Sequence, residues 1–256
     1  MSWERSIILK SNQEIEIMRE AGRINALALD AVRKHVQPGV TTAELDQIAS
    51  EVICKHGGKP AFLGVQGAYP YPATTTISIN DELVHGIPGK RKLIQGDIVS
   101  IDCGTIYHDY VGDSAITVNV GQVSEEASSL VDLTEKALYI GIEKLRDGNH
   151  VGDVGAAIEQ FVEEHGYYLT REYTGHGVGR EMWEGPQVPN YGIPGRGVML
   201  RSGMVIALEP MVLIGTEQTK VLEDQWTVVS IDGSLTAHFE HTVAITNNGP
   251  MILTEI

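Results

Sequence analysis

The chain has 256 residues and carries 34 acidic against 19 basic side chains, a formal net charge of −15. That excludes the clustered Lys/Arg surface on which nucleic-acid affinity rests, and the length suffices to bury a core without help from disulfides or metals. Two cysteines, Cys54 and Cys103, build neither a disulfide framework nor a zinc ribbon and suit a reducing compartment.

The first ten residues, MSWERSIILK, include Glu4 and Arg5 and no apolar core, so no secretory signal is expected. Apolar periodicity predicts a helix over 12–34. A second helix follows Pro38-Gly39, with Thr41 or Thr42 as cap and Glu44 in capping-box position, and ends at Lys55-His56-Gly57. Its apolar stripe includes Cys54, which is expected in the core. Two β-rich stretches, 96–104 and 110–120, flank a short turn and predict a hairpin in which Asp102 faces Asp113. Strand alternation turns Cys103 away from Asp102.

The second half repeats this order. Helical patterns cover 124–146 and the segment after Gly148. Gly39, Leu45, Val52, His56 and Gly57 recur as Gly148, Val154, Phe161, His165 and Gly166. His56 and His165 both read as helix ends, where a cation favours the dipole. Leu93-x-x-Gly96 through Asp102 matches Leu200-x-x-Gly203 through Glu209, and the longest apolar run stops there at Glu209-Pro210, well short of the roughly 18 residues a membrane helix needs. Trp226-Thr-Val-Val reads as a strand, and Asp113-Ser-Ala-Ile matches Glu240-His-Thr-Val, with His241 pointing away from Glu240. Each half therefore supplies a histidine and two acids in order: His85, Asp102, Asp113, then His176, Glu209, Glu240. Chance apolar periodicity need not preserve the polar residues. The expectation is an α+β pseudo-symmetric sandwich, helices on one face of an antiparallel sheet. Its halves cover about 11–121 and 122–250 of a single catalytic domain, 1–256.

Four carboxylates in apolar strands repel one another and lose hydration. Few cations lie near them in sequence, and solvent-facing edge positions are an unconvincing account of all four. Two divalent ions would balance the charge. Oxygen-rich ligands with an imidazole suit Mn, Fe, Co or Zn, and such a pair bridged by Asp113 and Glu240 would polarise a shared water to hydroxide near neutral pH.

Val84-His85-Gly-Ile-Pro88, Ile101-Asp102, Gly112-Asp113, Gly175-His176-Gly-Val-Gly-Arg180, Leu208-Glu209-Pro-Met-Val212 and Phe239-Glu240-His-Thr242 together resemble the type I methionine aminopeptidases over nearly the whole chain. The resemblance implies the pita-bread fold and removal of the initiator methionine from nascent polypeptides with a small second residue. It implies metal ligands Asp102, Asp113, His176, Glu209 and Glu240, with Glu209 also accepting the proton of the attacking water and His85 on the substrate side near the scissile peptide. It also implies an apolar side-chain pocket, to which Phe62, Tyr69, Thr76 and Trp226 correspond. The segment Val65 to Thr76 is longer than that family's usual loop, and Trp183 stands where the family places a second histidine; an indole donates one N–H and carries no proton.

Prolidases and aminopeptidases P share that fold and remain an alternative, although 84 residues before His85 leave little room for their extra domain. A non-catalytic binding module would lose ligands, whereas this chain keeps all five. Lys90-Arg91-Lys92 reads as a solvated turn, with a transient contact to ribosomal RNA as the functional alternative. The expected protein is cytoplasmic and monomeric, acts on peptide chains, and has no membrane partner and no nucleic-acid function of its own.

Overall fold

In the computed structural model, which describes residues 6–256, helix α1 (Asn12–His35) starts where Ser11 and Glu14 form a reciprocal capping box. Helix α2 (Thr42–Lys55) starts the same way at Thr41 and Glu44 and ends at His56. The reading that no leader precedes the domain rested on Glu4 and Arg5, which lie outside the described residues. Strands β1 (Lys59–Pro60), β2 (Thr75–Ile79) and β3 (Glu82–Val84) lead to the long hairpin β4 (Ile98–Tyr107) and β5 (Tyr110–Asn119). The second half opens with α3 (Glu125–Lys144), capped by Ser124, and α4 (Val151–Glu164), where the Asp153 carboxylate accepts from His150 N–H at 2.6 Å. There follow β6 (Tyr168–Leu169), β7 (Gly175–Gly177), β8 (Glu184–Val188), β9 (Val205–Leu208), β10 (Met211–Leu213), β11 (Thr219–Val221), β12 (Val228–Ser230), β13 (Thr236–His238), β14 (Glu240–Thr246) and β15 (Gly249–Ile252).

The main sheet runs β1-β4-β5-β14-β9-β7-β8, with β2 on β4 and β15 on β14. The halves meet at the antiparallel pair β5–β14, so β4 and β5 of one half correspond to β9 and β14 of the other. This is the predicted pseudo-symmetry in space. Each helix pair covers the same face. Ile24, Leu45 and Ile53 of α1 and α2 pack on Ile101 and Cys103; Leu130, Leu138 and Ile158 of α3 and α4 pack on Ile206 and Leu208. Buried Asn25 of α1 ties both layers, donating to Ser114 Oγ at 2.7 Å and accepting from Thr105 Oγ1 at 2.8 Å. Helix α1 approaches β5 so closely that a Cβ on Gly112 would stand 2.5 Å from the backbone nitrogen of Gly22. Only glycine fits at such a crossing.

Three expectations need correction. Asp102 pairs with Ala115, and Asp113 with Gly104, so the two acids are diagonal neighbours rather than directly opposite. The cause is the turn: β4 runs on to Tyr107, and His108 and Asp109, with φ of 45° and 63°, close a two-residue loop of the kind that matches strand twist. A slip of two residues preserves the face, so both carboxylates still point the same way. Cys54 is exposed, because the buried stripe of α2 is Thr42, Leu45, Ala49 and Ile53 and the next residue turns off it. The strand expected from Trp226 begins at Val228, since the Asp224 carboxylate holds the amides of Trp226 and Thr227 at 3.0 and 2.9 Å.

Candidate metal centre

Neighbouring strands deliver one side chain each to the face opposite the helices. Asp102 stands on β4, Asp113 on β5, Glu240 on β14, Glu209 just beyond β9 and His176 on β7. Alternation sends their neighbours to the other side: Cys103 enters the helix-facing core, and His241 bonds Thr254 Oγ1 at 2.8 Å and packs near Tyr139 of α3. The five converge with His85 in one cavity of about 100 Å3. Ligand atoms of Asp113, His176 and Glu240 lie within 4.8 Å of one another. His176 Nε2 is 3.5 Å from Glu209 Oε1 and 3.9 Å from Asp113 Oδ2. Thr242 locks the centre: its hydroxyl donates to Asp113 O at 2.7 Å and accepts from Asp113 N–H at 2.9 Å, tying β14 to β5.

The electrostatics call for cations. Among the described residues, none of the four acids pairs with a lysine or arginine. Asp102 Oδ1, Asp113 Oδ1 and Glu240 Oε1 are buried and accept no hydrogen bond, which costs free energy unless something satisfies them. Burial first, then mutual repulsion, pushes Asp102, Glu209 and Glu240 well above the ordinary carboxylate range. Burial raises Asp113 to about 7. His176 Nδ1 lies 3.0 Å from Gly177 O. That oxygen only accepts, so Nδ1 carries a proton, and Nε2 is turned toward the acids. Carboxylate oxygens and an imidazole nitrogen thus converge with no cationic side chain among them, an arrangement that a divalent cation satisfies. All five residues therefore fit a metal.

Two further histidines lie close to the acids. His85 leaves β3 with φ 62°, a conformation rare outside glycine; it packs edge-on against Tyr173 at 5.9 Å. Burial drops it to about 4, so it is neutral at pH 7. His238 had no assigned role in the sequence, yet it is buried with Nε2 3.7 Å from Glu209 Oε2. Burial, assisted by His85, lowers it to about 3. Its alternation with Glu240, His-x-Glu, was the signal available. Asn190, also unnoticed, donates from Nδ2 to Glu209 O at 2.9 Å.

The rest of the cavity wall is apolar: Phe62, Val65, Tyr71, Thr76, Trp183 and Trp226 line it. Of the four pocket residues expected from sequence, Phe62, Thr76 and Trp226 are therefore in place. Tyr69 is not. It is 40 % exposed, donates to Asp224 O at 2.9 Å and meets Trp226 edge-on from outside. Tyr71 occupies the wall instead, held by its hydroxyl to Gly86 O at 2.9 Å and edge-on to Trp226 at 5.1 Å. Two aromatics in one loop, Tyr-Pro-Tyr, could not be ordered without the fold. Lys90, Arg91 and Lys92 are exposed as expected, with Arg91 2.7 Å from Glu82.

Residues 16–247 match the model of metallopeptidase family M24. The chain is 49 % identical over 250 residues to the methionine aminopeptidase of Clostridium perfringens, covering 98 % of this chain and 99 % of that protein. The crystal structure of methionine aminopeptidase from Thermotoga maritima superposes with a TM-score of 0.95 at 46 % identity, over 98 % of this chain and all of that one. The prolidase of Pyrococcus furiosus shares the fold at a TM-score of 0.79 and 27 % identity, but this chain spans only 66 % of it.

Proposed function

The chain belongs to metallopeptidase family M24, and from that premise we propose that it removes the N-terminal methionine of polypeptides whose second residue is small, with Asp102, Asp113, His176, Glu209 and Glu240 holding two divalent ions. The observation that carries this reading is the set of buried, unpartnered oxygens on Asp102, Asp113 and Glu240, aimed into the cavity that His176 and Glu209 complete. Divalent ions in such a site polarise a carbonyl and lower the pKa of water.

The chain's own groups do the rest. Phe62, Val65, Tyr71 and Trp226 offer an apolar wall to the methionine side chain. Its unbranched thioether suits an aromatic pocket. Glu209 is the proton acceptor from the attacking water. Its carboxylate, at the edge of the cavity, can take that proton and pass it to the departing amine. Asn190 holds the Glu209 backbone and so aims the carboxylate. His85, neutral and with its ring in the cavity, is a hydrogen-bond donor for the scissile peptide. A cytoplasmic, monomeric enzyme goes with this reading; among the described residues no helix is long and apolar enough to cross a membrane.

The test is to strip the protein of metal, add back Mn, Fe, Co or Zn, and assay Met-Ala and Xaa-Pro peptides side by side. Met-Ala cleavage that depends on metal is expected. Cleavage confined to Xaa-Pro would favour the prolidase alternative, and no metal uptake by calorimetry would leave a non-catalytic module.

A further inference from the structure

Residues 6–10 form a strap along β8. Ile7 bridges Gly185 in parallel register, Gly185 N–H donates to Ser6 O at 3.3 Å, and Lys10 N–H donates to Gly203 O at 2.7 Å. At the end of the strap Lys10 Nζ stands 2.5 Å from Glu184 Oε2, and both side chains are only 3 % exposed. The other oxygen of Glu184 accepts from Arg180 N–H at 2.9 Å and Glu181 N–H at 3.4 Å. One carboxylate therefore ties the strap to both ends of the turn 180–184. Space is tight enough that a Cβ on Gly179 would stand 2.3 Å from Glu184 Oε1 and 2.6 Å from Lys10 Cε. Arg180 is held separately over the Tyr110 ring at 4.4 Å, and Tyr110 donates to Glu14 Oε1 at 2.5 Å, an acid of the α1 cap.

The turn so gripped carries Trp183, whose ring lines the cavity 6.4 Å from that of His176. Phe62, Val65, Tyr71 and Trp226 form the apolar wall; Trp183 stands beside His176, on the part of the lining left for the residue that follows the methionine. A buried ion pair contributes little stability that an apolar pair would not supply. What it adds is direction: an ammonium and two amides fix one carboxylate from three sides.

We propose that Lys10 is a positioning residue for substrate selection: through Glu184 it sets where the turn 180–184 places Trp183, and hence which second residue the site accepts. This rests on the aminopeptidase reading, so its test has one arm independent of activity.

Hydrogen exchange followed by mass spectrometry compares segment 180–184 in the wild type and Lys10→Met. Exchange at least about tenfold faster in the variant is expected, as an opening made easier by the loss of one charged contact; equal protection overturns the proposal whatever the enzyme does. Kinetics form the second arm. The kcat/KM ratio for Met-Ala-Ser over Met-Val-Ser peptides should change about tenfold in Lys10→Met, the scale of a methylene-sized change in a pocket wall, with the shift in KM rather than kcat and with Mn uptake as in the wild type. In a Trp183→Ala background the same substitution should leave the ratio alone. An unchanged ratio, or an equal change without the indole, would reduce Lys10 to a structural residue. Should Lys10→Met fail to fold, Glu184→Gln keeps an amide oxygen for Arg180 N–H but turns an NH2 donor toward Lys10 Nζ, and an unaltered ratio there overturns the proposal equally. A wild type that cleaves neither peptide would refute the aminopeptidase reading while the exchange arm still decides the strap.

Discussion

Replacing Asp113 with asparagine should make the metal-free protein more stable and the metal-loaded protein less so. Burial holds this carboxyl at about 7 in the folded chain, against the 3.8 of the free side chain. A raised folded pKa means that the native state binds the proton more tightly, so the penalty is absent below pH 3.8, grows through the interval, and is complete above 7. At about 1.36 kcal/mol for each pH unit of displacement, the cost at pH 8 is on the order of 4 kcal/mol. Asparagine removes the charge and its repulsion of Asp102, Glu209 and Glu240, but leaves a buried amide without a partner, which returns about 1–3 kcal/mol of that gain. The net is about 1–3 kcal/mol, or a rise in Tm of roughly 3–10 °C for a chain of this size. Calorimetry in EDTA at pH 8 and pH 5.5 reads it, the gain shrinking at the lower pH. With Mn at a hundred times its Kd the wild type should gain about 2.7 kcal/mol and Asp113→Asn much less, reversing the order. If Asp113→Asn melts at or below the wild type in EDTA at pH 8, the argument that the acids strain the empty centre is wrong.

Gly112→Ala should lose about 3 kcal/mol or more in urea titration, because its methyl would overlap the backbone of Gly22 with no side chain free to yield. His85→Ala should lower kcat for Met-Ala by about 10²-fold or more while calorimetric Mn uptake stays as in the wild type, since the imidazole is not among the ligands proposed here; parallel loss of metal would place it in the ligand set. Trp183→His should raise turnover of a Met-Ala peptide, restoring a ring that both donates and accepts. Equal rates in the two proteins would show that this position does not limit the reaction.

Much of this molecule was legible in the chain itself. Capping boxes at Ser11 and Thr41 and 3.6-residue periodicity are local, so helix starts and faces follow from neighbours a few residues apart. The duplicated order of histidine, acid, acid marked six side chains that line one cavity, because a two-residue period fixes the face of a strand residue whatever its partner. That is also why the mistaken hairpin register did no harm to the site: the slip was even. Tertiary structure alone decided which side chains meet across long separations. Tyr71 rather than Tyr69 faces the cavity because one hydroxyl finds Gly86 and the other Asp224. His238 reaches Glu209 because β13 lies beside β10, and Lys10 meets Glu184 from 174 residues away. Such contacts depend on where whole elements pack, a sum over many weak burials that no local pattern encodes.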